Sequence, residues 1–202
     1  MRDDQEKFWE GDFGDKYIER NKGQELINAK IDMFSKSLSK AKNLSTVLEL
    51  GCNRGLNASA LKQIFPSLEY TGVEISKTAY DVLCSNSAVS YAKNESIYDF
   101  TPPKKYDLAI VTGVLIHLNP KKLPVAYSKL QESSKRYVLI AEYFNPIPVA
   151  IDYRGHKEKL FKRDFAKEFM DQSGFKLVDY GFLYRFDQKF KHDDMTWFLL
   201  EK

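Results

Sequence analysis

The chain has 202 residues, 43% of them hydrophobic and 29% charged, which is the composition of a folded protein with one core. Its 31 basic and 28 acidic residues leave a net charge of +3, too little for a broad nucleic-acid-binding face. No apolar run reaches the roughly 18 to 20 residues of a membrane span, and the charged N-terminus lacks the apolar stretch of a signal peptide. Neither cysteine, Cys52 or Cys84, has a metal-binding spacing. We expect a cytoplasmic protein without membrane, nucleic-acid or metal partners.

The N-terminal segment 1–45 differs from the rest of the chain. It begins with FWEGDFGDKY, which pairs aromatic residues with glycines ahead of an amphipathic helix predicted over residues 24–41. Aromatic residues of this kind could pack on the core or form a lid that excludes water from a site. We expect N-terminal helices that act as a lid.

Strands and helices alternate along residues 46–202. Short apolar runs predict strands over residues 46–50, 70–73, 89–92, 108–112 and 137–141. Helical spacing predicts a helix over 56–65, and Asn119 with Pro120 marks the start of another. This alternation predicts a single doubly wound, Rossmann-like α/β domain with a mostly parallel sheet.

The C-terminal part predicts the end of that sheet. A helix over 164–173, stopped by Gly174, precedes two long strand candidates at 175–186 and 195–201. The polar loop 187–194 between them suits a hairpin, in which one strand runs antiparallel to the others. The expected sheet therefore has seven strands and ends in an antiparallel hairpin.

The segment VLELGCNRG, residues 47–55, is a strand that enters a glycine-spaced turn before a helix. Gly51 and Gly55 let the backbone turn sharply and approach a ligand, and Asn53 tolerates left-handed backbone angles. A dinucleotide fingerprint would need glycines at 51, 53 and 56, which argues against a nicotinamide cofactor. A carboxylate at Glu49 repels a pyrophosphate and suits an ammonium group. S-adenosylmethionine has an amino group, a sulfonium and no phosphate.

This pattern resembles the class I S-adenosylmethionine-dependent methyltransferases, whose first motif is an acid followed two residues later by a glycine-rich turn. Glu74, about 20 residues after the loop, is the candidate for the ribose hydroxyls, although a solvated glutamate at a strand end is the alternative. The resemblance implies adenine contacts at Glu95 and Ser96. It also implies that the strand end at Thr112 lies beside the methionine half of the cofactor.

Three residues are candidates for the general base of a methyl transfer, namely His117, His156 and Glu142. Imidazole often accepts a proton near neutral pH. His117 follows the fourth strand, on the segment that the resemblance places near the methyl group. The alternative is a histidine held by packing and a backbone hydrogen bond, and the sequence does not separate the two roles.

The connection 142–164 is long and basic, with Arg154, Lys157, Lys159, Lys162 and Arg163 beside aromatic residues. Arginine and lysine clusters at a cleft recognise phosphate or carboxylate. Tyr153, Arg154, Lys157 and Lys162 are therefore candidate contacts to an anionic acceptor. A solvated basic face is the alternative.

Nearly the whole chain is similar to the pseudaminic acid biosynthesis-associated methylases. The similarity rests on the phrases EKFWEGDFGDKYIERN, LELGCNRGLN, GVLIHLNP, YFNPIPVAIDYRGHKEKLFKRDFAKE and TWFLLEK. It implies a setting in bacterial surface-glycan synthesis without fixing the acceptor atom. From this similarity together with the basic connection, we expect a methyltransferase that acts on a small anionic acceptor, such as a sugar or nucleotide-linked sugar. A non-catalytic binding protein of the same fold and a nicotinamide-dependent sugar oxidoreductase are the rival hypotheses. The sequence leaves the oligomeric state open.

Overall fold

A computed structural model describes residues 2–202 and contains seven α-helices and nine strands in that range. The helices are α1 Asp4–Glu10, α2 Asp12–Arg20, α3 Gln24–Ser37, α4 Leu56–Ile64, α5 Lys77–Cys84, α6 Leu123–Ser133 and α7 Phe165–Ser173. The strands are β1 Thr46–Leu50, β2 Glu69–Glu74, β3 Tyr91–Asn94, β4 Tyr106–Thr112, β5 Ser134–Glu142, β6 Val149–Tyr153, β7 His156–Lys162, β8 Lys176–Leu183 and β9 Met195–Glu201. Two short 3₁₀ turns, Leu115–His117 and Pro120–Lys122, lie between β4 and α6.

Seven of the strands form one sheet in the order β3-β2-β1-β4-β5-β9-β8. The first five strands of this order pair in parallel, whereas β9 runs antiparallel to both β5 and β8. The predicted fold class, a doubly wound α/β sheet of seven strands that ends in an antiparallel hairpin, is therefore confirmed. The order reverses beside β1, so a crevice opens at the carboxyl ends of β1, β2 and β4, where such folds bind their ligands.

Two hydrophobic cores hold the layers together, one on each face of the sheet. On one face α3, α4 and α5 contribute Phe34, Leu61 and Leu83, all fully buried. On the other face α6 and α7 contribute Leu130 and Phe169. Burial of a Leu or Phe side chain contributes about 1.5 to 3 kcal/mol. The sheet is therefore a rigid platform for the loops at its carboxyl edge.

The sequence prediction missed a second hairpin, β6–β7, in the connection after β5. The two strands pair antiparallel, with Tyr153 opposite His156. The two residues between them, Arg154 and Gly155, have φ of 51° and 84°. A two-residue turn with both φ values positive matches the twist of a β-hairpin.

Several predicted boundaries differ from those of the structure, because apolar contacts continue beyond the hydrogen-bonded element. The helix predicted to residue 41 ends at Ser37, although Leu38 remains buried. The strand predicted over 89–92 pairs only from Tyr91, while Val89 still packs on the core. The strand predicted over 175–186 ends at Leu183. Within residues 2–202 no helix is both long and apolar enough to cross a membrane.

Candidate functional site

The loop after β1 brings its backbone to the crevice. The N–H groups of Gly51 and Cys52 donate to the Val73 carbonyl oxygen of β2, at 2.8 and 3.1 Å. Gly51 and Asn53 have φ of 76° and 48°, in the left-handed region that glycine and asparagine adopt at the lowest cost. A Cβ atom at Gly51 would lie 2.7 Å from the Val114 side chain. The loop therefore requires glycine at this position.

A cavity opens where this loop meets the carboxyl ends of β2 and β4. Seven of the predicted site residues line it, namely Glu49, Gly51, Asn53, Glu74, Ser96, Thr112 and His117. The remaining lining residues come from the N-terminal helices, the loop after β1, the start of α4, the ends of β2 and β3 and the turn after β4. The structure therefore brings six of the eight residues predicted for the cofactor to one cavity, together with His117.

Two predicted cofactor residues, Gly55 and Glu95, and the candidate base Glu142 lie outside this cavity. Gly55, with φ of 81°, shapes the start of α4, where a Cβ atom would lie 2.8 Å from the Leu83 side chain. Glu95 is half-buried, and its backbone N–H donates to the Glu74 carbonyl oxygen. Glu142, a candidate base, is 2% exposed and accepts the N–H groups of Val114 and Leu115, both at 2.9 Å. The geometry thus gives Glu142 a positioning role under the turn after β4 instead of a place at the reacting atoms.

Burial raises the pKa of Glu142 to about 7, against the lowering effect of the backbone N–H groups that it accepts. A carboxyl whose pKa is higher in the folded state than in the unfolded state favours folding at low pH. This contribution to stability is lost as the pH rises through about 7. The turn after β4 is therefore held by the Glu142 carboxyl group, whose pKa lies near neutral pH.

Glu49 lies at the floor of the cavity and is 1% exposed. It accepts a hydrogen bond from Asn57 Nδ2 at 2.5 Å and another from the Tyr70 hydroxyl. Burial raises the pKa of Glu49 to about 7, although these hydrogen bonds and the nearby Lys30 ammonium group lower it. A cationic ligand in the cavity would favour the carboxylate form of Glu49.

The Glu74 carboxyl group connects the loop after β1 with the turn after β2. Its Oε2 accepts the Asn53 N–H and its Oε1 accepts the Ser76 N–H, both at 2.8 Å. Burial raises the pKa of this carboxyl as well. Each oxygen of a carboxylate can accept more than one hydrogen bond, so Glu74 still has acceptor capacity for ribose hydroxyl groups.

His117 lies in the turn after β4 with its ring between Trp9 and Tyr153, at centroid distances of 4.6 and 4.8 Å. Its Nδ1 is 2.7 Å from the Lys159 carbonyl oxygen. Because a carbonyl oxygen only accepts, Nδ1 carries the proton and Nε2 has a free lone pair. Burial lowers the pKa of His117 to about 4, so the ring is neutral at physiological pH. The anticipated packing and backbone hydrogen bond of His117 are therefore present, and the residue also lines the cavity.

The N-terminal helices cover the cavity, with Glu6 as their main attachment. Glu6 is 6% exposed and accepts hydrogen bonds from Ser96 Oγ at 2.6 Å and Lys122 Nζ at 3.1 Å. Burial raises the pKa of Glu6, but these hydrogen bonds outweigh it and hold the pKa at about 2. Ser96, the predicted adenine contact, therefore uses its hydroxyl to hold α1.

The Glu6 attachment gives a testable prediction about ligand exchange. We expect Glu6→Ala to increase the dissociation rate of S-adenosylhomocysteine several-fold, because the helices would then open more often. Stopped-flow displacement measures this rate. Glu10→Ala, on the exposed side of α1, is the control. An unchanged dissociation rate in Glu6→Ala would show that the helices do not gate the cavity.

The basic residues predicted to bind an acceptor do not converge on the cavity. Lys159 Nζ donates to the Asp4 carbonyl oxygen at 3.2 Å, and Arg163 pairs with Glu168 at 2.8 Å. Arg154 and Lys157 are exposed on the β6–β7 hairpin. The remaining candidates have aromatic contacts: Lys162 lies over the Tyr143 ring, Tyr153 packs on His117, and His156 is 5.0 Å from the Phe8 ring. A shared anion site is therefore not preformed here.

Sequence reasoning missed three cavity-lining residues, Trp9, Lys30 and Asn57. Lys30 is three residues after Ile27 and four before Phe34, so this cation lies on the apolar face of its helix. Asn57 follows Gly55 by two residues, at the buried start of α4. A polar side chain on an otherwise apolar helix face was the pattern that could have identified both.

Unpaired polar atoms allow a test of whether the cavity suits S-adenosylmethionine. Trp9 Nε1, Asn57 Oδ1 and Thr112 Oγ1 are buried and have no hydrogen-bond partner within residues 2–202. Buried polar groups ordinarily have a partner, so these atoms are available to a polar ligand. Glu49 and Glu74 add acceptors for an ammonium group and for hydroxyl groups. The donor and acceptor set therefore fits this cofactor, which supplies an electrophilic methyl group when bound.

Residues 48–135 match the family model Methyltransf_12, described as a methyltransferase domain. The match runs from β1 into β5, which is less than half of the chain. No protein of curated function matches the sequence.

Solved structures extend the likeness over the whole chain. Magnesium protoporphyrin IX methyltransferase from Synechocystis PCC 6803, with bound S-adenosylmethionine, matches with a TM-score of 0.71 at 18% identity, over 100% of this chain and 98% of that one. The 1,6-didemethyltoxoflavin-N1-methyltransferase of Burkholderia thailandensis matches with 0.69 at 13%, over 94% and 83%. The N-methyltransferase NodS of Bradyrhizobium japonicum WM9 matches with 0.65 at 15%, over 93% and 98%. At these identities the likeness shows the fold.

The fold, the acid-bearing glycine loop and the matched domain together indicate an S-adenosylmethionine-dependent methyltransferase. The chain is an enzyme of this class, and its cofactor is S-adenosylmethionine. This result excludes the nicotinamide-dependent oxidoreductase among the rival hypotheses.

Proposed function

We propose that this enzyme methylates a hydroxyl group of a small anionic acceptor in the cytoplasm, a sugar or nucleotide-linked sugar of bacterial surface-glycan synthesis of the pseudaminic acid type. The observation that supports a hydroxyl acceptor is the His117 ring, because the residue lines the cavity, is neutral at physiological pH and has its Nδ1 on the Lys159 carbonyl oxygen, which leaves Nε2 as the proton acceptor. The pathway rests on the sequence resemblance.

Polar groups near Tyr17, which lines the cavity together with His117, support a hydroxyl-rich acceptor. The phenols of Tyr17 and Tyr143 lie near the Asp193 carboxylate, which adds to burial in raising the pKa of Tyr17 to about 12 and in raising the pKa of Tyr143. Tyr153 and Arg154 of the β6–β7 hairpin are close enough to influence the same Tyr17. Phenols and a carboxylate exchange hydrogen bonds with sugar hydroxyls, while Arg154 offers the positive charge for an anionic group.

In this arrangement the chain's own residues divide the work. The carboxylates of Glu49 and Glu74 bind and orient the cofactor, and the N-terminal helices exclude water from the cavity. Nε2 of His117 accepts a hydrogen bond from the acceptor hydroxyl and later its proton. Methylation makes the hydroxyl oxygen strongly acidic, so a base with a pKa of about 4 is sufficient. Positioning of the two reactants supplies much of the rate.

The proposal is tested by transfer of a labelled methyl group from S-adenosylmethionine into a bacterial extract and into purified nucleotide-linked sugars. We expect label in small anionic molecules, as O-methyl groups identified by mass spectrometry. The variant His117→Asn is the matched negative control. Label confined to proteins or nucleic acids would refute a small acceptor, and N-methyl products would refute the hydroxyl. Cofactor binding without any transfer would favour the non-catalytic alternative.

We expect Arg154→Ala to raise the apparent KM of the acceptor about tenfold and to leave S-adenosylhomocysteine affinity nearly unchanged, because the side chain lies on the exposed hairpin and not in the cavity. Steady-state kinetics and calorimetry measure the two effects. Lys157→Ala, three residues away on the same hairpin, is the comparison. Loss of cofactor affinity in folded Arg154→Ala protein would assign the residue to the cofactor site and remove the charge argument for an anionic acceptor.

A further inference from the structure

Most of the exposed large hydrophobic side chains belong to two short segments of the chain. Eleven such side chains within residues 2–202 are between 37% and 71% exposed, and nine of them belong to the segments 144–151 and 177–186. They are Phe144, Ile147, Val149, Ile151, Leu177, Tyr180, Phe182, Tyr184 and Phe186. Single exposed apolar residues are ordinary, but a contiguous patch marks an interaction surface.

The patch has its centre on β8, at the edge of the sheet. Tyr180, 64% exposed, stacks on Phe198 of β9 at 6.4 Å, and Phe144 lies 6.1 Å from the same ring. Phe182, Tyr184 and Phe186 continue the row, with consecutive ring centroids 6.1 and 5.4 Å apart. The opposite side of β8 faces the core. The exposed row is therefore a continuous aromatic face and not a set of isolated side chains.

The backbone of β8 is also unpaired on its outer side. This strand has eight residues and pairs only with β9 among residues 2–202. Proteins protect such edges with bulges and charged residues. In β8 the bulge lies between Leu177 and Asp179, and the charges are Lys176 and Asp179. The second half, from Tyr180 to Leu183, has neither protection.

We propose that β8 forms the interface of a homodimer, in which the edge strands of two copies pair antiparallel across a two-fold axis. A closed two-fold contact requires a surface that complements itself, and an exposed edge strand meets this requirement through its own backbone groups. The aromatic row supplies apolar surface area that the contact would bury. With about 200 Å² per aromatic side chain, its four exposed rings bury roughly 500 Å², and the strand backbone with Leu177 brings the total toward the ~800 Å² per partner of a stable interface.

The symmetric arrangement also gives the aromatic residues suitable partners. A two-fold axis at Phe182 places this residue opposite itself and Tyr180 opposite Tyr184 of the second copy. Residues directly opposite in an antiparallel pair lie on the same face of the sheet, where aromatic pairs stabilise the contact. The two seven-stranded sheets would then continue as one.

Sedimentation equilibrium at micromolar concentration tests the proposal. We expect a mass of about twice 23.4 kDa for the native chain, and the monomer mass for the double variant Tyr180→Lys, Phe182→Lys. Tyr91→Lys is the matched control, because Tyr91 is 52% exposed on β3 at the opposite edge of the sheet. A thermal shift with S-adenosylhomocysteine establishes that each variant is folded. A monomeric native chain would overturn the proposal, as would a dimer that survives the double variant.

Symmetric disulfide formation tests the register. In a Cys84→Ser background, with Cys52 buried, Phe182→Cys should form an intermolecular disulfide under glutathione oxidation, because paired Cα atoms of a strand lie within disulfide range. Tyr91→Cys should remain monomeric. Equal cross-linking of the two variants would refute pairing through β8. Binding of the native chain to phospholipid vesicles, lost in the double variant, would assign the face to a membrane and overturn the dimer.

Discussion

Replacement of His117 by asparagine is expected to lower kcat about 10²- to 10⁴-fold, the usual contribution of a positioned acid–base group. Asparagine places an amide N–H where Nδ1 stands, so the hydrogen bond to the Lys159 carbonyl oxygen is retained. The variant lacks an Nε2 lone pair. Steady-state kinetics with the acceptor measure the loss, and calorimetry should show S-adenosylhomocysteine affinity within about twofold of the native value.

Two further measurements separate a base from a packing residue at this position. With S-adenosylmethionine saturating, the native kcat/KM for the acceptor should be constant above about pH 6 and should fall only as the pH approaches about 4, where the His117 ring gains a proton. His156→Ala is the control, since His156 is exposed on the β6–β7 hairpin and should retain most of the activity. If folded His117→Asn protein had the same kcat as the native enzyme, His117 would contribute only to packing.

The cofactor half of the site could be predicted from sequence because it depends on short contiguous segments. Glu49, Gly51 and Asn53 lie two positions apart along the chain. Strand β1, which ends at Leu50, fixes their position at the edge of the sheet. Glu74 follows at the spacing that a strand–helix–strand unit imposes. In such units the position along the chain determines the position at the sheet edge.

The rest of the site depends on contacts between distant segments, which sequence spacing does not encode. Glu6 reaches Ser96 across 90 positions, and Gln5 donates to the Glu158 carbonyl oxygen across 153. The polar side chains of these residues gave no indication of the partners that they contact. For the same reason Glu142 was predicted as a base. Its position at the end of β5 could be read from the sequence, but the two backbone N–H groups that donate hydrogen bonds to it could not.

The five basic residues of the connection 142–164 do not form one cluster, because two of them have partners in different elements. Lys159 is directed to α1 and Arg163 to α7. A basic run indicates a concentrated anion site only when its spacing places the cations on one face.

Glu49→Gln is expected to weaken S-adenosylhomocysteine binding about 10- to 100-fold near pH 7.5, which corresponds to the ~1.5 to 3 kcal/mol of a charged hydrogen bond. Glutamine retains the volume, its amide oxygen can accept from Asn57 Nδ2, and its NH₂ group can donate to the Tyr70 hydroxyl oxygen in place of the bond that Tyr70 donated to the carboxylate. The missing charge is the one that would face the amino group of the ligand. Glu95→Gln, outside the cavity, is the control.

The same residue should make cofactor binding depend on pH. The pKa of Glu49 is about 7 in the free protein, and a bound ammonium group favours the carboxylate, so binding below pH 7 must release a proton. Affinity for S-adenosylhomocysteine should therefore rise about tenfold per pH unit from about pH 5.5 and level off near 7. Calorimetry in buffers of different ionisation enthalpy counts the released proton. Glu49→Gln should remove this slope. A slope that persists in the variant would place the titrating group elsewhere, with Glu74 as the next residue to replace, because burial also raises its pKa.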